Sequence, residues 1–345
     1  MKALPRFDHT TTHFAGEEGQ FLVFVTADDP ARCGSIEWFT SHREAILEAL
    51  DHFGVVYFRG FGADSRQFEA FADILSPTAL PYGGGVSPRH FVHGTVFTAN
   101  DSPGAVTVPQ HHELSYHGST PRYVAFYCEL PSETGGATPI SDGRRFARTI
   151  SERYPKVMDE LEEKGVIFIR NYTAANFKGW EATWQTSDRA VLEAKLREND
   201  TEFEWLADDW LRTRQRRPAI VRDPVTGQRI LYSSLNIWCY RFNEQVNTIY
   251  HLPLPENDAS VQPLASVYGD GSAIPMDFVK EMDVIYNQQK VAISYQPQDI
   301  MFINNVIAAH GKTPWTGPSR KVYVTLRDPI HHSHMARLPA RSATR

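Results

Sequence analysis

The stretch VPQHHELSYH, residues 108–117, places His111, His112, Glu113 and His117 almost side by side. In an extended chain alternate side chains point the same way, so His111 and Glu113 share a face and His112 points away. An imidazole and a carboxylate on one face can hold two coordination positions of a single metal ion; a third donor must come from elsewhere. His310 is the best third donor. It lies in INNVIAAHGKTPWTGPSRK (303–321), after an apolar run and before a turn-rich loop. Taken singly, each of these residues reads equally well as a hydrogen-bonded strand end or core histidine. Arg320, ten residues beyond His310, and Thr138 in GGATPI (135–140) add a second chemistry. A guanidinium and a hydroxyl together can bind a carboxylate, the first by a two-pronged contact. Arg170, Asn171, Tyr172, Trp238 and Arg327 are candidate substrate contacts by residue type and position near strand ends. Tyr116 and His117 are candidates because they follow the His-x-Glu motif directly.

These residues need elements to position them. Ser41-His-Arg-Glu44 forms a capping box ahead of Ala45, Ile46, Ala49, Leu50 and Phe53, which predicts a helix starting there. Asp64 predicts the cap of a second helix with Phe68, Phe71, Ala72 and Leu75 as its stripe. Between them GVVYFRGF (54–61) is a β run. Further strands are expected at 122–130, 165–172, 218–223, 228–234, 290–296, 299–304 and 321–328, all rich in β-branched and aromatic residues. Helices are expected at about 145–164, 188–199 and 273–287. The segment 172–217, with Trp180, Trp184, Trp205 and Trp210, reads as a lid-like insertion that folds over something. Its LRTRQRR run (211–217) reads as a solvated charged face or a basic docking surface. No GxGxxG follows a strand and no GxxxxGK[ST] occurs, so nucleotide binding has no support. The pattern predicts an antiparallel sandwich or barrel with flanking helices.

The chain has 345 residues and a formal net charge of -6, which gives no reason to expect nucleic acid or an anionic membrane as partner. Cys33, Cys128 and Cys239 are odd in number and far apart, neither a disulfide framework nor a zinc ribbon. With no apolar leader in MKALPRFDHTTTHFAGEE and no long apolar run, a cytoplasmic protein is expected. Residues 1–330 are expected to form a single domain, and 331–345, with HHSH and three arginines, a flexible basic tail.

HHE, then GGATPISD, then NNVIAAHGKTPWTGPSRK resembles the Fe(II)/2-oxoglutarate dioxygenases of the taurine dioxygenase (TauD/TfdA-like) superfamily. The resemblance runs from GVVYFRGF through VYVTLRD. It is strongest to the branch that hydroxylates amino acids in antibiotic and non-ribosomal peptide biosynthesis. It implies a double-stranded β-helix (jelly-roll) core. It implies that His111, Glu113 and His310 bind Fe(II), and that Thr138 and Arg320 hold the far carboxylate of 2-oxoglutarate. In such enzymes O2 and 2-oxoglutarate give succinate and CO2 while an unactivated C–H bond is hydroxylated; desaturation and cyclisation draw on the same chemistry. The related halogenases have a small residue where this chain has Glu113, so the carboxylate argues against halogenation. The implied substrate is an amino acid-like small molecule, free, in a small peptide or presented by a carrier protein.

Two departures stand out. Asn304-Asn305 replaces the Asp-Asn frequent in relatives, and Tyr232-Ser-Ser-Leu-Asn236 replaces a Phe-Asn where a substrate could sit. Two other readings remain open on the residues alone. The same donors can hold zinc for a hydrolase, which leaves Thr138 and Arg320 unexplained. A non-catalytic β-sandwich with structural histidines requires three coincident motifs.

Overall fold

The run Val55–Phe58 shows how the molecule is layered. The structure, a computed structural model, describes residues 3–15, 20–173, 178–253 and 258–335. Val55 and Tyr57 face one core and Val56 and Phe58 another, as the two-residue period of a strand requires. The neighbouring strands Ile300–Asn304 and Ser119–Leu130 divide in the same way: Met301, Val124 and Phe126 on one side, Phe302, Ala125 and Tyr127 on the other. A sheet buried on both faces reads as a continuous apolar run, and these segments do.

That sheet has eight strands, in the order Thr10–Phe14, Leu22–Ala27, Val55–Arg59, Ile300–Asn304, Ser119–Leu130, Lys321–His331, Val96–Thr98, Phe91–His93. The helices Ile36–Phe53 and Ser65–Leu75 cover its outer face. Its inner face shares a core with a four-stranded sheet, Glu202–Trp205, Leu211–Arg217, Val166–Tyr172 and Leu264–Tyr268. A three-stranded sheet, ordered Val108–His111, Ala308–Lys312 and Ile140–Asp142, adds Val108, Ile140, Ala308 and Ala309 to the same core. The architecture is mainly β, a jelly roll flanked by helices.

The expected elements are mostly present, with informative exceptions. The first helix starts at Ile36, not at Ser41, because Trp38 and Phe39 extend the buried stripe upstream. Ser35 caps it by accepting from Trp38 N at 3.1 Å, and the Ser41 hydroxyl donates to the Trp38 carbonyl instead. Asp64 and Gln67 do form a reciprocal capping box. The helix expected over 145–164 is two, Gly143–Arg153 and Pro155–Lys164, since Pro155 has no N–H to continue the first. The strand expected at 290–296 does not form. Val291 alone pairs, with Ile140, and of the run only Tyr295 is buried.

The segment 172–217 is only partly an insertion. Its end is a hairpin, Glu202–Trp205 with Leu211–Arg217, that joins the smaller sheet through Val166–Tyr172. Its helices Trp180–Trp184 and Arg189–Glu198 close a small core of Tyr172, Trp180, Trp184, Leu192, Leu196 and Leu211. Trp180 and Trp184 belong to this local core and Trp205 packs against it, while Trp210 is exposed. The LRTRQRR run is that hairpin's second strand. Arg212 and Arg214 lie within 3.5 and 3.6 Å of Glu204, and buried Arg217 donates to the carbonyls of Tyr116, His117 and Asn199. The tail is ordered at its start. His331 closes the last strand, His332–Met335 is a helical turn, and Met335 is buried. His331 and His332 each place Nε2 2.9 Å from the same oxygen of Asp200. Arg337, Arg341 and Arg345 lie outside the described residues. Among the described residues no helix is long and apolar enough to cross a membrane.

Candidate active site

Strand register sets the first two donors. Val108–His111 pairs antiparallel with Ala308–Lys312 so that His111 stands opposite His310. Their rings lie 4.8 Å apart. Glu113 Oε2 lies 3.8 Å from His111 Nε2 and 3.4 Å from His310 Nε2. His111 Nδ1 faces the Pro109 carbonyl at 2.8 Å. A carbonyl only accepts, so Nδ1 carries the proton and the Nε2 lone pair is free to coordinate. Two imidazole nitrogens and a carboxylate oxygen converging this way fit a divalent iron that keeps open positions. Burial alone would raise the Glu113 carboxyl. The Arg89 guanidinium at 3.0 Å and the two histidines outweigh it and hold Glu113 well below the usual carboxylate range. Burial pushes His310 down to about 4, which keeps its ring neutral, as a metal ligand must be.

Glu113 is not on the strand itself. The chain turns at His112, and Leu114 adopts a φ of 53° with its side chain buried. A left-handed leucine costs about 1–2 kcal/mol, so surrounding contacts must fix this turn. Asn305 supplies them. Its Oδ1 accepts from Glu113 N at 2.7 Å, and its Nδ2 donates to the Glu113 carbonyl at 3.1 Å and the Pro121 carbonyl at 2.9 Å. Its own carbonyl receives His112 Nδ1 at 2.6 Å. His112, fully buried and pushed down to about 3, therefore braces the turn from behind. Tyr232–Asn236 does not line the cavity of the histidine–glutamate cluster. Tyr232 packs its ring on His112 and accepts from Asn305, and Asn236 donates to the Gln110 carbonyl. The segment backs the motif strand from the far side.

The same cavity contains Thr138 and Arg320. Thr138 Oγ1 accepts from the buried Tyr295 hydroxyl at 2.9 Å, which leaves the threonine hydrogen to donate. Arg320 Nε donates to the Gly136 carbonyl at 2.9 Å and so turns its terminal nitrogens free of the loop. Gly136 has φ +69°, and a Cβ there would press within 3.0 Å of the Arg320 side chain, so glycine is required for this approach. Lys312 lines the cavity too. It is buried, its Nζ has no hydrogen-bond partner among the described residues, and burial followed by Arg320 pushes it down to about 8. Tyr295 and Lys312 were not singled out by the sequence. The two-residue spacing from His310 to Lys312 on one strand was the available signal for the lysine.

The expected substrate contacts divide. Arg170 is buried, donates to the Gly85 carbonyl at 3.4 Å and lies over the Tyr172 ring. Tyr116 and Trp238 pack their rings at a tilt, 4.8 Å apart, within the inner core, with the Tyr116 hydroxyl accepting from Val86 N. His117 lines a neighbouring cleft with Tyr82 and Trp184, not the cavity of the histidine–glutamate cluster. Arg327 is not at the site. It faces the outer helix, paired with Asp73 and donating to Thr95 Oγ1 at 2.6 Å. Asn171 holds the carbonyls of Ala259 and Gln262. Arg89, in contact with Glu113, escaped notice because nothing in PYGGGVSPRH marks it out.

The chain matches the family described as "Taurine catabolism dioxygenase TauD, TfdA family" over residues 34–326. It is 29% identical over 320 residues to the dapdiamide synthesis protein DdaC of Enterobacter agglomerans, covering 90% of this chain and 92% of that one. It is 30% identical over 283 residues to a clavaminate synthase-like protein of Arabidopsis thaliana, covering 79% and 82%. Its fold superimposes on PvcB of Pseudomonas aeruginosa with a TM-score of 0.52 at 14% identity, over 98% of both chains. PvcB is described as an Fe, alpha-ketoglutarate dependent oxygenase from an isonitrile synthetic pathway. Of the readings the donors alone left open, the oxygenase is the one this family represents, with Fe(II), 2-oxoglutarate and O2 as its reagents. The chain belongs to the TauD/TfdA family and is a 2-oxoglutarate-dependent dioxygenase.

Proposed function

We propose that this enzyme hydroxylates an unactivated C–H bond of an amino acid-like small molecule, with His111, Glu113 and His310 as the iron ligands and Thr138 and Arg320 as the anchor for 2-oxoglutarate. The observation that carries the reading is one cavity lined by all five side chains. Bound Fe(II) with 2-oxoglutarate and O2 supplies the oxidising power for attack on carbon. The chain's residues do the rest. His111 and His310 present neutral Nε2 atoms from opposed strands, and Glu113 supplies the anionic donor that offsets the metal charge. Arg320 and Thr138 fix the far carboxylate of the cosubstrate and so orient its keto acid end toward the metal. Phe126 packs on the His310 ring at 5.3 Å and Val108 lines the same cavity, which keeps that side dry.

The matched dapdiamide synthesis protein supports an amino acid-derived substrate. The three buried, unpaired cysteines are in keeping with a cytoplasmic setting. The internal pairing of LRTRQRR favours a freely diffusing substrate over one presented by a carrier protein. The test is a visible spectrum taken without oxygen. Iron(II) and 2-oxoglutarate together should give the weak charge-transfer band of a chelated keto acid, lost in His111→Ala. A wild-type spectrum with no band would refute the assignment of ligands and cosubstrate.

A further inference from the structure

Arg89 is a cation with too little to hold. Its side chain is 5% exposed. Nε donates to the Ala99 carbonyl at 2.9 Å, Nη2 meets Glu113 Oε2 at 3.0 Å, and the guanidinium lies 4.3 Å over the Tyr82 ring. Nη1 is buried with no partner among the described residues. Among the described residues the single anion it touches is the oxygen toward which His111 and His310 converge. A divalent ion held there takes over that oxygen and adds its own positive charge beside the guanidinium.

Two more cations stand behind Arg89. Arg170 reaches the Gly85 carbonyl at 3.4 Å, has an unpartnered Nε, and makes no ion pair among the described residues. Lys178 Nζ lies 3.4 Å from the Gly85 carbonyl and 3.5 Å from that of Ser87. Burial, then Arg170 and Arg89, push this amine down to about 7, a sign of how closely the three charges crowd the loop Tyr82–Arg89. Gly85 permits that crowding, since a Cβ there would meet the Tyr82 hydroxyl at 2.0 Å. Ser87 and Asn100 line the cavity beside Arg89 and offer neutral hydrogen bonds. The 2-oxoglutarate end has its own cation in Arg320, with Lys312 beside it, so the cosubstrate does not answer the charge at Arg89. Buried cations are tolerated when an anion completes them.

We infer that the cavity takes two anions, and that the second is a free carboxylate on the substrate, received by Arg89 with Arg170 behind it. The inference rests on the iron and 2-oxoglutarate reading above. It narrows the substrate to molecules carrying an acid group close to the carbon attacked. An amino acid whose only carboxyl is tied up as a thioester lacks the group this wall is built for.

The experiment uses protein loaded with iron(II) and 2-oxoglutarate under nitrogen, titrated with a panel of free L-amino acids and their methyl esters. The perturbation of the visible band and the heat of binding are read together. At least one free acid should perturb the band, and its ester should bind about tenfold more weakly or worse, the loss of one charge-assisted contact. Arg89→Gln should weaken the acid by a similar factor, leave the ester unchanged and keep the 2-oxoglutarate titration of the band intact. Arg89→Lys retains the charge and should fall between. The acid-against-ester comparison stands on wild-type protein if a variant folds poorly. Esters binding as well as acids, no acid binding, or a band lost in Arg89→Gln and Arg89→Lys alike would overturn the proposal; the last would make Arg89 a support for Glu113. A wild-type protein with no band at all condemns the underlying iron reading instead, and is recognised before the panel is begun.

Discussion

The two walls of the cavity are made differently. His111 and His310 sit on paired strands, where a one-residue slip would turn either ring away, so their meeting is fixed by register. Arg89 itself rides on the loop Tyr82–Arg89, which carries no ladder among the described residues, while Arg170 behind it is paired on the strand Val166–Tyr172. Rigid elements hold the proposed chemistry, and loops hold what the substrate is expected to touch. One wall can change while the other is kept, which is how a family with a common reaction acquires different substrates.

That contrast can be broken experimentally. Removing a proposed iron ligand should have the largest effect. Glu113→Ala should lower iron retention by more than about 100-fold, beyond the range usual for residues that only support a ligand, and 2-oxoglutarate turnover should fall with it. Metal content and succinate formation measure both, and a variant that keeps its iron would end the distinction between the walls. Next comes the brace. Asn305→Ala leaves the Glu113 amide without its acceptor and should weaken iron binding by about 10- to 100-fold. Stability should fall by about 2–3 kcal/mol, read from urea titration. The smallest chemical effect is expected at Arg327, which shares a sheet with Phe126 of the cavity lining but faces the outer helix. Arg327→Ala should cost about 1–3 kcal/mol of stability and leave succinate formation within about twofold of wild type. A large loss of turnover there would mean that the outer layer is coupled to the cavity.

Much of the strand wall was legible in the sequence, because strand period and side-chain type are local properties. His-x-Glu, the distal histidine and the arginine beyond it carry their spacing on their face. What was not legible depended on tertiary partners. Arg327 and Arg170 are alike as residues near strand ends, and only the facing layer separates them. One meets Asp73 on a helix and the other a glycine loop. Lys312 and Arg89 gain their interest from missing partners, a property of the packed interior. The predicted strand at 290–296 failed because Val291 and Ile293 are only half-buried and the run makes a single bridge, Val291 to Ile140, among the described residues, so composition was right and a ladder was absent. The helix start at Ser41 failed because Trp38 and Phe39 found a core that a local capping pattern cannot see.

Asn305 holds both the amide and the carbonyl of residue 113, and asks nothing of its carboxylate. The main chain at that turn is therefore indifferent to the side chain it displays. A lineage could exchange the glutamate for a smaller residue without rebuilding the loop, and the fold would survive the experiment. The scaffold thus fixes where this side chain is displayed without depending on which side chain it is, so the shape of the turn and the coordination it offers are separable properties of one position.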